Sequence, residues 1–557
     1  MIEPSLQLGG GNWANKSDKL LGYHKDGANF YADELTFSRN SLGSYTDANG
    51  LVQTMPYNLL TYSEQFDNAA WTKSNATISA NSTTAPNGNA TADKLIENTV
   101  NNNHYAAQNV TAENIAYTYS LYVKADTRTR VRVQMSDLTT GDIRLDYNFT
   151  TDTSVLNGSG SRGSWSSSSF TKTDILGGWV RISISGIKGA GSVASCSVFL
   201  LDNSGNSSYT GNGTSGAFIW GAQLNQGSTA LPYFPTTTRL NLARVDYKDN
   251  VNGSLLLEPQ RTNLLTYSED FSNASWAIVG SGMTKTINYA LSPNNDLTAC
   301  RITTTTSGSA FYSNIGTVSG VHTRSLWVKS NNGASQTILF ENGDSVTATT
   351  SWQRVESITN GSAIFPIQLS GANLDILIWK PQCELGSYST SYIKSEGAAT
   401  TRLQDSCSMT GISDKIGQTE GTLFVEADLT HSAASNGYLT QVRGNNSNRF
   451  FIFRDGATNK LGCYALVNAT QIYTTLTTAV ATGTIKAAFA YKSGSFAFYV
   501  NGVQVGTSSA PYTISTNLTE FFIDQNNGLE NGFYNYNQAQ LYKTRLSNAE
   551  LATLTTI

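Results

Sequence analysis

Short stretches in which apolar and polar residues alternate recur along the chain. Val131-Arg-Val-Gln-Met135, Val180-Arg-Ile-Ser-Ile-Ser185 and Thr422-Leu-Phe-Val-Glu-Ala-Asp-Leu429 are three of them. A period of two sets one face of an antiparallel strand against a core and the other toward water. Gly, Asn and Ser interrupt these stretches at short intervals, the spacing of β-sandwiches and jelly rolls. Phe496-Ala-Phe-Tyr-Val500 and Val503-Gln-Val505 flank Asn501-Gly502 and predict a hairpin. Asn-Gly supplies the two positive-φ residues of a type I′ turn. Near the end, Ser547-Asn-Ala-Glu550 predicts a capping box that opens a short helix, Asn548 to Leu554.

The pattern repeats on a larger scale. Asn58-Leu-Leu-Thr-Tyr-Ser-Glu-Gln-Phe-Asp-Asn-Ala-Ala-Trp71 returns 205 residues later as Asn263-Leu-Leu-Thr-Tyr-Ser-Glu-Asp-Phe-Ser-Asn-Ala-Ser-Trp276. Ser120-Leu-Tyr-Val-Lys124 and Ser325-Leu-Trp-Val-Lys329 keep that offset. Trp179-Val-Arg181 and Trp352-Gln-Arg354 are 173 apart, so the second copy is 32 residues shorter by this point. The loss falls in the Ser/Gly-rich stretch Ser154 to Ser169 of the first copy. Ile219-Trp220 and Ile378-Trp379 close the match, and both copies end in Thr-Arg-Leu. The predicted fold is all-β, with tandem antiparallel jelly-roll sandwiches. Sandwich A spans 58–240, a linker 241–262, sandwich B 263–403, and a third sandwich 404–557. Residues 1–57 are too short for a core and read as an attachment segment. The linker echoes their turn, Tyr45-Thr-Asp-Ala-Asn-Gly-Leu-Val52 against Val245-Asp-Tyr-Lys-Asp-Asn-Val-Asn-Gly-Ser-Leu-Leu256.

Charge narrows the function. Of 557 residues, 14% are charged, and the net charge is −4. A phosphate-tracking protein needs a basic stripe, so nucleic acid is not an expected partner. Hydrophobic residues at 39% exclude charge-driven disorder. No apolar run approaches the ~20 residues of a membrane helix, so no membrane insertion is expected. The N-terminus, MIEPSLQLGGGNW, carries no signal-peptide pattern, which points to synthesis in a reducing cytoplasm. Cys196, Cys300, Cys383, Cys407 and Cys463 have no metal spacing and read as free, small apolar residues.

Catalytic chemistry has little to work with, and no enzyme is expected. His24, His104, His322 and His431 fall in no metal or nucleophile motif. Gly211-Asn-Gly213-Thr-Ser-Gly216 matches a dinucleotide fingerprint by letter, but no helix follows to hold a phosphate. Glu64 and Glu269 occupy equivalent repeat positions in separate domains, each expected to accept from a backbone amide of its own copy. Trp71/Trp276, Trp179/Trp352 and Trp220/Trp379 recur in both copies and read as core. Binding usually lives on loops. Trp165, in the loop present in one copy alone, is therefore a glycan-binding candidate, with packing onto the sandwich as the alternative. Tyr438, Arg443, Asn445, Asn446 and Arg449 form a second candidate cluster, and Asp524, Asn526 and Asn527 a third. Sugars are held by aromatic faces together with amide, carboxylate and guanidinium groups. Turn chemistry selects Asn and Asp as well.

Several segments together resemble phage fibre and spike proteins, including head- and tail-fibre proteins of phages infecting Bacteroidota and marine bacteria. They are Phe37-Ser-Arg-Asn40, Gly50-Leu-Val52, the two Asn-Leu-Leu-Thr-Tyr-Ser-Glu blocks, Leu257-Glu-Pro-Gln-Arg-Thr-Asn263, the run from Glu396 to Phe424, and Gln540-Leu-Tyr-Lys-Thr-Arg-Leu-Ser-Asn-Ala-Glu550. The resemblance implies carbohydrate-binding-module-like repeats and a concanavalin A-like, laminin G-like last domain. It further implies a virion location, docking to other virion proteins through the N-terminal segment, and attachment to host cell-surface polysaccharide. Multivalent display would suit a homo-oligomer, most simply a trimer. A purely structural decoration protein and a polysaccharide depolymerase are the alternatives. No cofactor is expected. Related modules place an Asp on the last strand as a structural calcium ligand, but these strands read Ile219-Trp220-Gly221 and Ile378-Trp379-Lys380.

Overall fold

The structure, a computed structural model, describes every residue except 1, 11–12, 17–18, 27–28, 40, 56, 139–140, 158–164, 190, 239–241, 307, 314–315, 341–342, 364–367, 430–436, 481 and 524–533. The described chain is antiparallel β throughout, apart from one 3-10 turn and the helix Asn548–Leu554. That helix carries the predicted capping box between Ser547 and Glu550. The predicted hairpin is also present, with Asn501 at φ 50° and Gly502 at φ 79°.

Sandwich A packs a seven-stranded sheet on a six-stranded one, and sandwich B packs two five-stranded sheets. Each closes over its own apolar core. The length difference between the copies has a structural identity. A carries two strands, Thr153–Asn157 and Trp165–Ile175, that form one outer edge of each of its sheets. In B the chain runs from the strand Ser345–Ala348 straight to Gln353–Ala363.

The repeat extends to individual hydrogen bonds. Asn58 Oδ1 accepts from the amides of Leu60 and Leu224, both at 3.0 Å. Asn263 Oδ1 accepts from Leu265 and Cys383, at 3.2 and 3.1 Å. Trp71 and Trp276 donate to the carbonyls of Tyr62 and Tyr267. Trp220 and Trp379 donate to Thr91 and Thr298 hydroxyls. Arg181 reaches Ser120 and the Leu231 carbonyl, as Arg354 reaches Ser325 and the Thr390 carbonyl. Each Asn satisfies two buried amides that the strand ladder leaves open. This explains why Asn58 and Asn263 head the repeated block. All the repeated tryptophans are buried except Trp352, which stays partly exposed.

Glu64 and Glu269 depart from expectation. Among the described residues neither bonds a backbone amide in its own copy: Glu64 accepts from the Tyr233 hydroxyl at 3.2 Å, and Glu269 pairs with Lys394 at 3.4 Å and Lys380 at 3.8 Å. The difference arises at two positions: Lys394 stands where A has Pro235, and Lys380 stands at a bulge where A has Gly221. Gly221 and Lys380 both take the left-handed conformation, at φ 60° and 46°. A Cβ at Gly221 would lie 3.0 Å from Tyr122 and 3.2 Å from Tyr233, so a side chain there would have to displace those rings.

The sequence boundaries at the N-terminus and linker need correction. Residues 1–57 are not a separate segment, and 241–262 is not a free linker. Leu6–Gly9 pairs with residues 538–541 on the strand Tyr534–Tyr542, and Ser254–Leu257 pairs further along the same strand. Asn29–Ser38 pairs through its first part with Lys19–Asp26 and through its last three residues with Ser406–Thr410, so it passes from one sheet of the C-terminal sandwich to the other. Leu6, Leu8, Leu20, Leu35 and Phe37 are buried in the same core as Leu423, Val425 and Leu541. Alternation placed those apolar side chains inward, and the C-terminal sandwich supplies the core that 57 residues alone could not. Sandwiches A and B are thus inserted into connections of a host sandwich built from three stretches of chain.

Charge is buried where those stretches meet. Arg39, Arg244, Arg402, Glu258 and Asp405 all have 0% side-chain exposure. Arg39 bonds Asp405 at 2.8 Å, and Arg244 bonds Glu258 at 2.5 Å and also Asp405. Arg402 bonds Glu258 and the Pro259 carbonyl. Burial alone would raise the Glu258 carboxyl. The charges of Arg402 and Arg244, with bonds from Ser391, outweigh it and hold the group at about 2.

Candidate functional site

The strands Gly437–Asn445, Asn448–Arg454, Leu461–Val467 and Glu520–Ile523 lie side by side in one sheet of the host sandwich. Leu439, Val442, Phe450, Ile452, Phe521 and Ile523 belong to its core. The neighbouring positions make an opposite, outer face. Bulges after Tyr438 and after Arg443 reset the alternation, so that Tyr438 stands opposite Phe453 while Gln441 stands opposite Phe451. A bulge re-aims side chains in this way.

That face is an aromatic shelf edged by guanidinium groups, and its inner rings, Tyr438, Phe451 and Phe522, are buried. Phe451 lies 4.7 Å from Tyr438 and 5.0 Å from Tyr464, stacked on the latter at 16°. The Arg443 guanidinium sits 4.2 Å over Phe522, and its Nε donates to Glu520 at 2.5 Å. Arg449 sits 5.3 Å over Phe451. Tyr464, Phe453, Arg443 and Arg449 remain partly exposed. Between Phe522 and Phe451, in register with both, is Gln441. Its side chain is 1% exposed, and neither Oε1 nor Nε2 has a hydrogen-bond partner among the described residues. Such a group costs about 1–3 kcal/mol. An amide that both donates and accepts, buried among flat rings, can be satisfied by a ligand hydroxyl once the flanking side chains shift to admit it.

The shelf brings together Tyr438, Arg443 and Arg449. Asn445 and Asn446 lie at the hairpin end of the same row. Asn445 Oδ1 accepts from the Ser447 amide at 2.9 Å, a turn role, and Asn446 accepts from Arg443 Nη1 at 3.4 Å. Asp524, Asn526 and Asn527 lie outside the described residues, as does His431. Trp165 is not on an exposed loop. It begins an edge strand and is 2% exposed within the core of sandwich A, so the binding-platform expectation is corrected to the packing alternative. Sequence reading missed Gln441, Phe451, Tyr464 and Phe522. The run Phe450-Phe451-Ile452-Phe453 was the available signal: apolar side chains on both faces do not fit a strand with one wet face.

Elsewhere, His104 is buried between the carbonyls of Asn75 and Tyr209, and His24 pairs with Asp33 at 2.5 Å. All five cysteines are buried, and none is in a disulfide. No cluster of three or more His, Cys, Asp or Glu able to hold a metal occurs among the described residues.

No family model matches the chain, and no curated protein matches it. Solved structures show distant likeness. One is the CBM40 module of a Ruminococcus gnavus IT-sialidase bound to α2,3-sialyllactose, 18% identical over 25% of this chain and 84% of that one, with a TM-score of 0.22. Domain 4 of the arabinanase AbnA from Geobacillus stearothermophilus, in complex with arabinotriose, is 11% identical over 31% and 84%, with a TM-score of 0.23. Domains LG4-5 of the mouse laminin α1 chain are 8% identical over 40% and 82%, with a TM-score of 0.18. At such scores they carry no functional weight, and the all-β assignment rests on the strand pairing described above.

Proposed function

We propose that the chain is a non-catalytic glycan-binding protein of the phage fibre or spike type, displayed on the virion as an oligomer, most simply a trimer. Its binding surface is the shelf formed by Tyr438, Gln441, Arg443, Arg449, Phe451 and Tyr464. The observation that carries this reading is the unpaired amide of Gln441 set between aromatic rings. Flat rings stack on the C–H faces of sugars, and the surrounding amide and guanidinium groups meet hydroxyls. Sites of this kind bind weakly one at a time, and many copies on a particle make the attachment firm. The virion assignment rests on the sequence resemblance. Docking to the particle belongs to the exposed hairpin of Lys19–Asp26 and Asn29–Ser38, where Phe30 and Tyr31 are 74% and 46% exposed. The test of glycan binding is retention of the full chain on immobilised glycans. It should be lost when Arg443 and Tyr464 are both changed to Ala; retention by that variant would refute the site.

A further inference from the structure

A second site lies away from the shelf. The hairpin of Ser44–Thr46 and Val52–Thr54 packs on the hairpin of Arg244–Asp246 and Ser254–Leu257. Thr46 N donates to Asp246 Oδ1 at 2.6 Å, and Tyr247 N donates to the Thr46 carbonyl at 2.9 Å. These hairpins face the start of the sandwich B strand Gln353–Ala363 and the loop 389–392 across a groove of about 760 Å³, with Asp428 and Asn535 of the host sandwich also lining it. Binding sites for small organic ligands typically enclose about 300–1,000 Å³.

Aromatic side chains line both walls. Tyr45 and Tyr247 come from the hairpins, and Trp327 and Trp352 from sandwich B. Trp327 is fixed edge-on against Trp379 at 5.4 Å and covered by the Arg354 guanidinium at 4.8 Å. The wall is braced by the buried charge cluster, because Ser391 accepts from Arg244 at 2.7 Å and from Arg402 at 2.9 Å while donating to Glu258 at 2.6 Å. Asn535 Oδ1 is buried and has no hydrogen-bond partner among the described residues. It is an acceptor awaiting a donor. The groove also holds the carboxylates of Asp246, Asp249, Glu356 and Asp428 against two cations, Lys248 and Arg354.

We propose that this groove is a second saccharide site, selective for neutral oligosaccharides. Aromatic rings on both walls, with Tyr45, Tyr247 and Trp352 not covered by a guanidinium as Trp327 is, suit the C–H faces of pyranose units. The Asn535 oxygen takes a sugar hydroxyl. The excess of carboxylates repels uronate and sialate groups, so charge sets selectivity by rejection. The proposal is independent of the shelf, since no groove residue belongs to it.

The experiment is calorimetric titration of the full chain with neutral hexasaccharides (cello-, xylo- and manno-) and with hexagalacturonate. At least one neutral probe should bind and hexagalacturonate should not. Trp352→Ala and Tyr247→Ala, at partly exposed positions, should each weaken that binding roughly ten-fold or more. Asp249→Lys should admit hexagalacturonate, and Arg443→Ala with Tyr464→Ala should leave groove binding unchanged. Absence of binding by every neutral probe, equal binding of hexagalacturonate, or indifference to both aromatic substitutions would overturn the proposal. Loss in the Arg443/Tyr464 variant alone would move the binding to the shelf and overturn it equally.

Discussion

Arg39 donates to Asp405 at 2.8 Å across a sequence separation of 366, and both side chains are fully buried. The pair joins the N-terminal stretch to the C-terminal one, and Arg244 adds the stretch between the inserted sandwiches. Paired charges in a dry interior stabilise little on balance, but removing one partner leaves the others buried and uncompensated. Asp405→Ala should therefore cost the host sandwich about 3–5 kcal/mol, read as a lowered denaturant midpoint in its transition. A midpoint within ~0.5 kcal/mol of wild type would show that the cluster is not a structural lock.

The host sandwich should not fold from its C-terminal stretch alone. A fragment 404–557 lacks Leu6, Leu8, Leu20, Leu35 and Phe37, all buried in its core. Each is worth about 1.5–3 kcal/mol, so together they match a domain's whole margin of about 5–15 kcal/mol. The fragment should lack near-ultraviolet dichroism and dispersed amide resonances. A well-dispersed spectrum would contradict the three-stretch assembly.

Acid should weaken the junction in a defined window. The Glu258 carboxyl is held at about 2, below its ordinary value of 4.5. A carboxylate lowered by folding adds stability above its ordinary value and loses it as pH falls toward the folded one. Stability of the host sandwich should fall as pH drops from about 4.5 to about 2, and Glu258→Gln should flatten that part of the profile. An unchanged profile in the variant would count against this origin.

The proposed docking by the N-terminal hairpin can be tested apart from folding. Deleting residues 1–57 would remove core strands, so loss of incorporation by that deletion would say nothing about docking. Phe30→Asp with Tyr31→Asp changes two exposed side chains. The purified variant should match wild type in thermal unfolding, yet be missing from virions grown with it. Normal incorporation would exclude this hairpin as the docking surface.

Local features were legible in the sequence because their partners are a few residues apart. Asn501-Gly502 fixes its own turn, and Ser547 with Glu550 caps its own helix. The repeat was legible because Asn58 and Asn263 perform the same buried task. The host sandwich was not, since nothing near Leu6 specifies that it pairs with Leu541. Composition grouped Tyr438, Arg443 and Arg449 as a loop cluster, and they lie instead on two neighbouring strands, whereas Gln441 was hidden by bulges that reset which residues share a face. Trp165 was misread because a serine-rich stretch looks like a loop, while here it forms an edge strand.

The most direct measurement is the binding of full-length protein to a glycan array beside the Arg443→Ala, Tyr464→Ala variant, both shown to be folded by near-ultraviolet dichroism. Binding to a restricted set of glycans, with at least one of those signals lost in the variant, is the predicted result. No glycan bound by the wild type, or an identical pattern in the variant, would contradict glycan recognition at the shelf.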